Sequence, residues 1–206
     1  MAGEKFRTVL LFGVPGVGKG TQGRILSRMQ GLFVLACGEV FRSFDPGSEI
    51  GVKVASYTSK GELVPDELTV KLWQEAMREN ISAGWYKPES DLLILDGIPR
   101  SVAQAKYLDD SIEVLGILHL TSSNENAMIE RLKRRALAEN RADDADENVI
   151  RHRFEVYHQQ SQPVLDYYPR SLRKHIEALA TPEEVAKSIQ RELAPIREKH
   201  FGKVSS

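Results

Sequence analysis

This sequence predicts an α/β protein built on a five-stranded parallel sheet with helices on both faces, and three observations carry that expectation. Short apolar runs alternate with helix-period segments along the whole chain, the pattern of buried parallel strands joined by crossover helices. The first run, Val9-Leu10-Leu11-Phe12, leads straight into a glycine-rich loop, GVPGVGKGTQ from Gly13 to Gln22, and then into an amphipathic segment carrying Ile25, Leu26 and Met29. A later run, Leu92-Leu93-Ile94-Leu95, ends on Asp96, which sets an acid at the carboxyl edge of a strand, where open α/β sheets bind their ligands.

In chain order, strands are expected at Thr8–Phe12, Leu32–Leu35, Asp91–Leu95, Val114–Leu120 and Leu172–Glu177. Helices are expected from near Lys19, Pro65, Ser101 and Ser123, with a long one over about Asp146–Tyr168 and a last one from Pro182 to about Ala194. Two starts are signposted. Ser122 with Glu125 has the spacing of a capping box, and Thr181-Pro182-Glu183-Glu184 joins an N-cap, a proline at the first helical position and a glutamate at the third. Residues from Gly38 to about Gly84 are too many for a plain connection and predict an inserted helical subdomain, while Ala136–Asp144 is short and charged and predicts a flap. The tail after Pro195 is expected to be frayed or exposed.

The loop's spacing, G-x-x-x-x-G-K, is that of a phosphate-binding loop. Its glycines let several backbone N–H groups aim at one anion beside the positive end of a helix, and Lys19 adds a point charge. Gly20 stands where Ser or Thr is usual, and the hydroxyl comes one place later, at Thr21. The bland alternative, an ordinary glycine-rich turn, does not account for the lysine in its strand-to-helix context.

Composition excludes more than it proposes. With 206 residues, 41% of them hydrophobic, the chain can build one substantial core. A net charge of -1 gives no reason to expect nucleic acid or a membrane surface as partner. The single cysteine, Cys37, rules out an internal disulfide and a thiolate zinc site. No apolar leader or spanning stretch is present, so a cytoplasmic protein is expected.

The remaining chemistry comes from arginines. Asp96-Gly97-Ile98-Pro99-Arg100 places a carboxylate that could hold the waters of Mg²⁺ beside a guanidinium suited to phosphate. Arg131 and Arg135 lie four apart on one helix face, with Arg141 in the flap and Arg153 on the next helix. Alone, these would read as a solvated basic face together with Lys133 and Arg134.

Taken together the motifs reach further. GVPGVGKGTQ, ACGEVFR (36–42), GSEIG (47–51), KGELVPDEL (60–68), LILDGIPRSVAQA (93–105), ERLKRR (130–135), RADD (141–144) and RHRFEVYH (151–158) stand in the order and approximate spacing of adenylate kinases. From about Thr8 to Leu193 the chain resembles that nucleoside monophosphate kinase family. The resemblance implies a P-loop core (1–36, 85–133, 143–206), an NMP-binding insertion (37–84) and a short lid (134–142). It implies that Gly16, Val17, Gly18, Lys19, Gly20 and Thr21 hold the ATP phosphates, with Arg131, Arg135 and Ala180 also on the ATP side. AMP would meet Cys37, Gly38, Arg42, Glu62, Leu63, Val64, Gly97, Ile98, Pro99, Arg100, Gln104, Arg141 and Arg153. Lys19, Arg100, Arg135, Arg141 and Arg153 would be the catalytic cations, Asp96 would serve Mg²⁺ through water, and Asp143 and Asp144 would support the lid. Only five residues separate Arg135 from Arg141, so the lid is of the short type, without zinc. The implied protein works with ATP, AMP and ADP, without nucleic acid or membrane, and a monomer is expected.

Such a set needs no general base. An acceptor phosphate is already largely dianionic near neutral pH, its second pKa being about 6, so the problem is repulsion between anions and exclusion of water. Gln104 bears on the acceptor base, since a primary amide can accept from an exocyclic amine and donate to a ring nitrogen. That matches adenine and equally cytosine, so a UMP/CMP or broader kinase stays open, as does a nucleotide-binding module without catalysis. Several positions depart from the family: Cys37 replaces a threonine, Glu39 an aspartate and Ile98 a phenylalanine. One extra residue lies between Asp144 and Arg153, which must be absorbed before the helix if Arg153 rather than His152 is to face the site.

Overall fold

The computed structural model describes residues 5–139, 141 and 144–202. Its centre is a sheet of strands β1 (Phe6–Phe12), β2 (Leu32–Ala36), β3 (Leu92–Asp96), β4 (Ile112–Thr121) and β5 (Arg173–Glu177) in the order β2-β3-β1-β4-β5. Every pairing is parallel. The central strands β1 and β3 read as near-continuous apolar runs because both faces are covered, whereas the edge strand β5, Arg173–Glu177, is mostly polar and exposed. In β1, Leu10 and Phe12 enter one core layer and Val9 and Leu11 the other; in β3, Leu93 and Leu95 oppose Leu92 and Ile94 in the same way. Between Thr8 and Val9 the register with β4 slips by one, passing from Val114 to Gly116.

Helices α1 (Lys19–Leu26), α2 (Cys37–Ser43), α3 (Glu49–Thr58), α4 (Asp66–Ser82) and α5 (Val102–Leu108) connect the first half. Those of the second half are α6 (Glu125–Glu139), α7 (Glu147–Val156), α8 (Val164–Tyr167) and α9 (Pro182–Phe201). Between β2 and β3 the chain carries α2, α3 and α4, joined by turns, with a small cluster of buried side chains made of Val54, Val64 and Leu72. β1 runs into α1, and β3 ends at Asp96, so the loop and the acid share one edge of the sheet.

Four expectations are corrected. Helix α6 is capped by Asn124, whose Oδ1 accepts from the Ala127 N–H at 3.0 Å, and not by Ser122; the helix therefore starts two residues later than Ser123. It also continues to Glu139, through the first part of the stretch Ala136–Asp144, expected to be a flap. The long helix over Asp146–Tyr168 is interrupted. Pro163 lacks the N–H that would reach the Gln159 carbonyl, and the chain widens into a π turn over Tyr157–Ser161 before α8, with Gln162 N donating to Tyr157 O at 2.8 Å. The capping box at Thr181 forms as expected.

The fourth correction concerns the tail. Helix α9 runs through Pro195 to Phe201, because tertiary contacts outweigh the one backbone bond the proline removes. Ile196 and Phe201 pack on the core layer under that helix. Arg7 stacks on the Phe201 ring at 5.3 Å and donates to the His200 carbonyl, while Arg197 Nε donates to Gly31 O at 3.4 Å. Ending the chain after Ala194 should lower stability by about 2–4 kcal/mol, the burial of two partly covered apolar side chains. Urea unfolding of the shortened protein measures this, and an unchanged midpoint would make the segment a mere appendage.

Candidate active site

Strand β1 stops at Phe12 because the next residues cannot continue it: Gly13, Gly16 and Gly18 all have positive φ. At Gly16 the demand is double. Its φ of 79° disfavours any side chain, and a Cβ would lie 2.7 Å from the Met128 carbonyl oxygen of α6. Gly20 differs, since it sits in the first turn of α1, where a Cβ would meet nothing within 4 Å. No side chain caps α1. Its first N–H groups are therefore open to an anion at the positive end of the helix.

A cleft of about 830 Å³ opens above the carboxyl edge of the sheet. The loop residues Gly16, Val17, Gly18, Lys19, Gly20 and Thr21 line it, as do Asp96, Gly97, Pro99, Arg100 and Gln104 from the end of β3 onwards. The insertion contributes Gly38, Arg42, Glu62, Leu63 and Val64, and the other wall brings Arg131, Arg135, Arg141, Arg153 and Ala180. Arg153 is turned inward, whereas His152 is exposed and meets Glu155. Helix α7 begins at Glu147.

Two expected ligand contacts are not made by side chains. Cys37 is 1% exposed and packs into the core with Leu10 and Phe12. Ala36 already faces the cleft, and the next side chain points to the opposite side. Burial pushes the Cys37 thiol up to about 12, so it stays protonated. Ile98 is likewise in the core, while its neighbours Gly97 and Pro99 face the cleft. Asp143 lies outside the described residues. Asp144 does not line the cleft; it works from behind.

That work is electrostatic. Asp144 is wholly buried and is the common partner of three guanidinium groups. Arg135 donates from Nε to Oδ2 at 2.6 Å, Arg153 donates from Nη1 to Oδ1, and Arg141 lies 3.7 Å from Oδ2. The carboxylate thus gathers cations from α6, from the connection and from α7 into one wall. Opposite, Arg100 folds back so that Nε donates to Gly97 O at 2.9 Å. Gly97 must be glycine there, with φ 80° and a would-be Cβ 2.9 Å from an Arg100 nitrogen.

Lys19 donates to the Gly13 and Val14 carbonyls at 2.5 and 3.0 Å. Burial, together with Arg100, Arg153 and Arg135, lowers its pKa to about 8, only partly countered by Asp96. Burial raises the Asp96 carboxyl, with Lys19 and Arg100 pulling the other way. A divalent cation fits here: Asp96, Glu39 and Thr21 offer hard oxygen donors to the same cleft. Among the described residues, no three His, Cys, Asp or Glu side chains are grouped to hold a metal by themselves.

Three contributors were not singled out from the sequence. Gln22 lines the cleft and ties α1 to the start of α9 through Nε2 to Pro182 O at 2.9 Å. Tyr157 and Ser161 reach the cleft from the π turn. Only Gln22 had a signal, its place in the loop motif.

Fold and cleft define a P-loop phosphotransferase: a strand, loop and helix for phosphates at the carboxyl edge of a parallel sheet, faced by convergent arginines. A family model described as adenylate kinase matches residues 11–172. The adenylate kinase of Thermobifida fusca is 38% identical over 184 residues, covering 86% of this chain and 93% of its own length. That of Mycolicibacterium paratuberculosis is 39% identical over 183 residues, and that of Thermus thermophilus 34% over 186, with similar coverage. The chain belongs to the adenylate kinase family.

Two outcomes follow. Because Lys19 loses its charge as pH rises through about 8, the affinity of the ligand-free protein for MgATP should fall above that value, read by titration calorimetry from pH 7 to 9. Asp144→Ala removes the buried partner that Arg135, Arg141 and Arg153 share and should cost about 3 kcal/mol or more, the range for removing one partner of a buried ion pair; urea unfolding checks it.

Proposed function

We propose that the protein catalyses reversible, Mg²⁺-dependent phosphoryl transfer from ATP to AMP, giving two ADP. The observation that carries this is the convergence of Lys19, Arg100, Arg135, Arg141 and Arg153 on the one cleft that also holds the phosphate loop. A protein that only bound nucleotide would have no use for so many cations on two facing walls.

The loop amides and Lys19 hold the donor phosphates, with Arg131 and Ala180 on the side of the donor base. Arg42 and Arg100 hold the acceptor phosphate, and Arg135, Arg141 and Arg153 neutralise charge on the transferring group. These contacts bring the acceptor oxygen in line with the γ-phosphorus, which is most of what a phosphoryl transferase does. Mg²⁺, when bound near Asp96, adds further charge neutralisation. The NMP-binding insertion at 37–84 and the short lid at 134–142 close over the substrates and keep water out. Reopening then limits turnover. One chain supplies every group named, so a monomer suffices. No described helix is long and apolar enough to cross a membrane, and work in the cytoplasm fits a chain with one buried thiol.

The acceptor is read from Gln104, and the same donor–acceptor pattern suits cytosine. The test is ADP formation from MgATP with AMP, CMP, UMP, GMP or no acceptor, compared as kcat/KM. AMP is expected to lead. Parity of CMP with AMP would move the assignment to a broader nucleoside monophosphate kinase, and inertness with all four would leave a binding module. Arg135→Ala should lower kcat about a hundredfold or more while shifting the unfolding midpoint little; undiminished turnover would remove Arg135 from the machinery.

A further inference from the structure

Gln104 is 1% exposed, and its amide is held at both ends by the protein. Oε1 accepts from the Arg100 backbone N–H at 2.7 Å. Nε2 donates to Asp66 Oδ1 at 2.9 Å, reaching from α5 to the first residue of α4. The same Asp66 oxygen receives the Ser101 hydroxyl at 2.8 Å. Ser101 Oγ in turn accepts from Gln104 N at 3.0 Å, so its proton is free for Asp66. Gln104 lines the cleft, whereas Asp66 does not.

A glutamine amide can present either of two faces, because rotating it by half a turn exchanges oxygen for NH₂. Here the partners forbid the exchange. A backbone N–H can only donate and a carboxylate can only accept, so the flipped amide would set NH₂ against N–H and oxygen against carboxylate. What the fixed amide has left is one lone pair and one N–H, in an order the base must match. A 6-amino purine offers an amine hydrogen and a bare N1. A 6-oxo purine offers a carbonyl and an N1–H, the reverse.

We propose that Asp66 is a positioning residue that selects an amino over an oxo base by locking the orientation of the Gln104 amide. This rests on the reading that a nucleoside monophosphate places its base against Gln104. The Arg100 N–H holds only the oxygen end, so without Asp66 the NH₂ end is unheld, the amide turns at lower cost and the discrimination narrows. Asp66 acts 38 residues away from Gln104 in sequence and without touching the base.

AMP and IMP differ only in this pattern, so the ratio of their kcat/KM values reads the lock directly. Asp66→Asn keeps the shape and offers an amide that can meet either orientation; Asp66→Ala removes the partner altogether. Both should lower the AMP/IMP ratio about tenfold or more, the loss of a hydrogen bond to a charged group. The change should appear in KM for the monophosphate, with KM for MgATP and kcat little altered. Ser101→Ala removes the other bond to Asp66 and the α5 cap but leaves the amide pinned, so its ratio should stay near that of the unmodified protein. An unchanged ratio in folded Asp66→Asn would overturn the proposal, as would an equal fall in Ser101→Ala, which would make general loosening of α5 the cause. If Asp66→Ala does not fold, Asp66→Asn decides. An unmodified protein inert toward AMP would instead bring down the acceptor reading, before any variant is compared.

Discussion

A single carboxylate makes the cationic cleft possible. Three guanidinium groups from α6, α7 and the residues between them would repel one another with nothing between them, and Arg135 and Arg153 also act on Lys19. Asp144, with no exposed surface, gives all three a shared partner. It is a single charge shared among three cations, and Glu139 stands 3.7 Å from Arg141 as a second acid at the wall. Asp144 stands behind the wall and not among the residues that line the cleft, whereas Arg135, Arg141 and Arg153 do line it. The local fold follows from this need, for the connection after Glu139 must be short enough to return Arg141 and Asp144 to the arginine row of α6.

The same logic runs through the loop. Glycine at Gly16 is required by α6 as much as by the turn, since the Met128 carbonyl occupies the space of a side chain. Thus one face of α6, carrying Met128, Arg131, Leu132 and Arg135, both closes over the phosphate loop and supplies arginines to the cleft. Loop and arginine wall are parts of one rigid contact, which keeps the distance between donor phosphates and cations set by packing.

The sheet was legible because parallel strands covered on both faces must be apolar throughout, and Leu92-Leu93-Ile94-Leu95 satisfies that in plain sight. The Thr181 box was legible because a cap is decided within four residues. Pro195 misled for the complementary reason: its cost is local, while its compensation comes from Arg7, Gly31 and the sheet, far away in sequence. Cys37 and Ile98 are set within motifs whose order was clear, but which side of the backbone a residue shows depends on the strand before it. Ser122 and Asn124 both could cap, and only the geometry chooses. The partnership of Asp66 with Gln104 has no local signal, since an acid at the first turn of a helix is explained well enough by the helix itself.

Lys19 resting on the Gly13 and Val14 carbonyls gives the loop a threshold. An arriving anion must offer the ammonium more than two neutral oxygens already do. A singly charged, strongly hydrated ion gains little from the exchange, whereas a polyphosphate that also fills the row of loop N–H groups gains at several points together. The resting loop therefore favours ligands that engage its whole length over the salt and small anions around it.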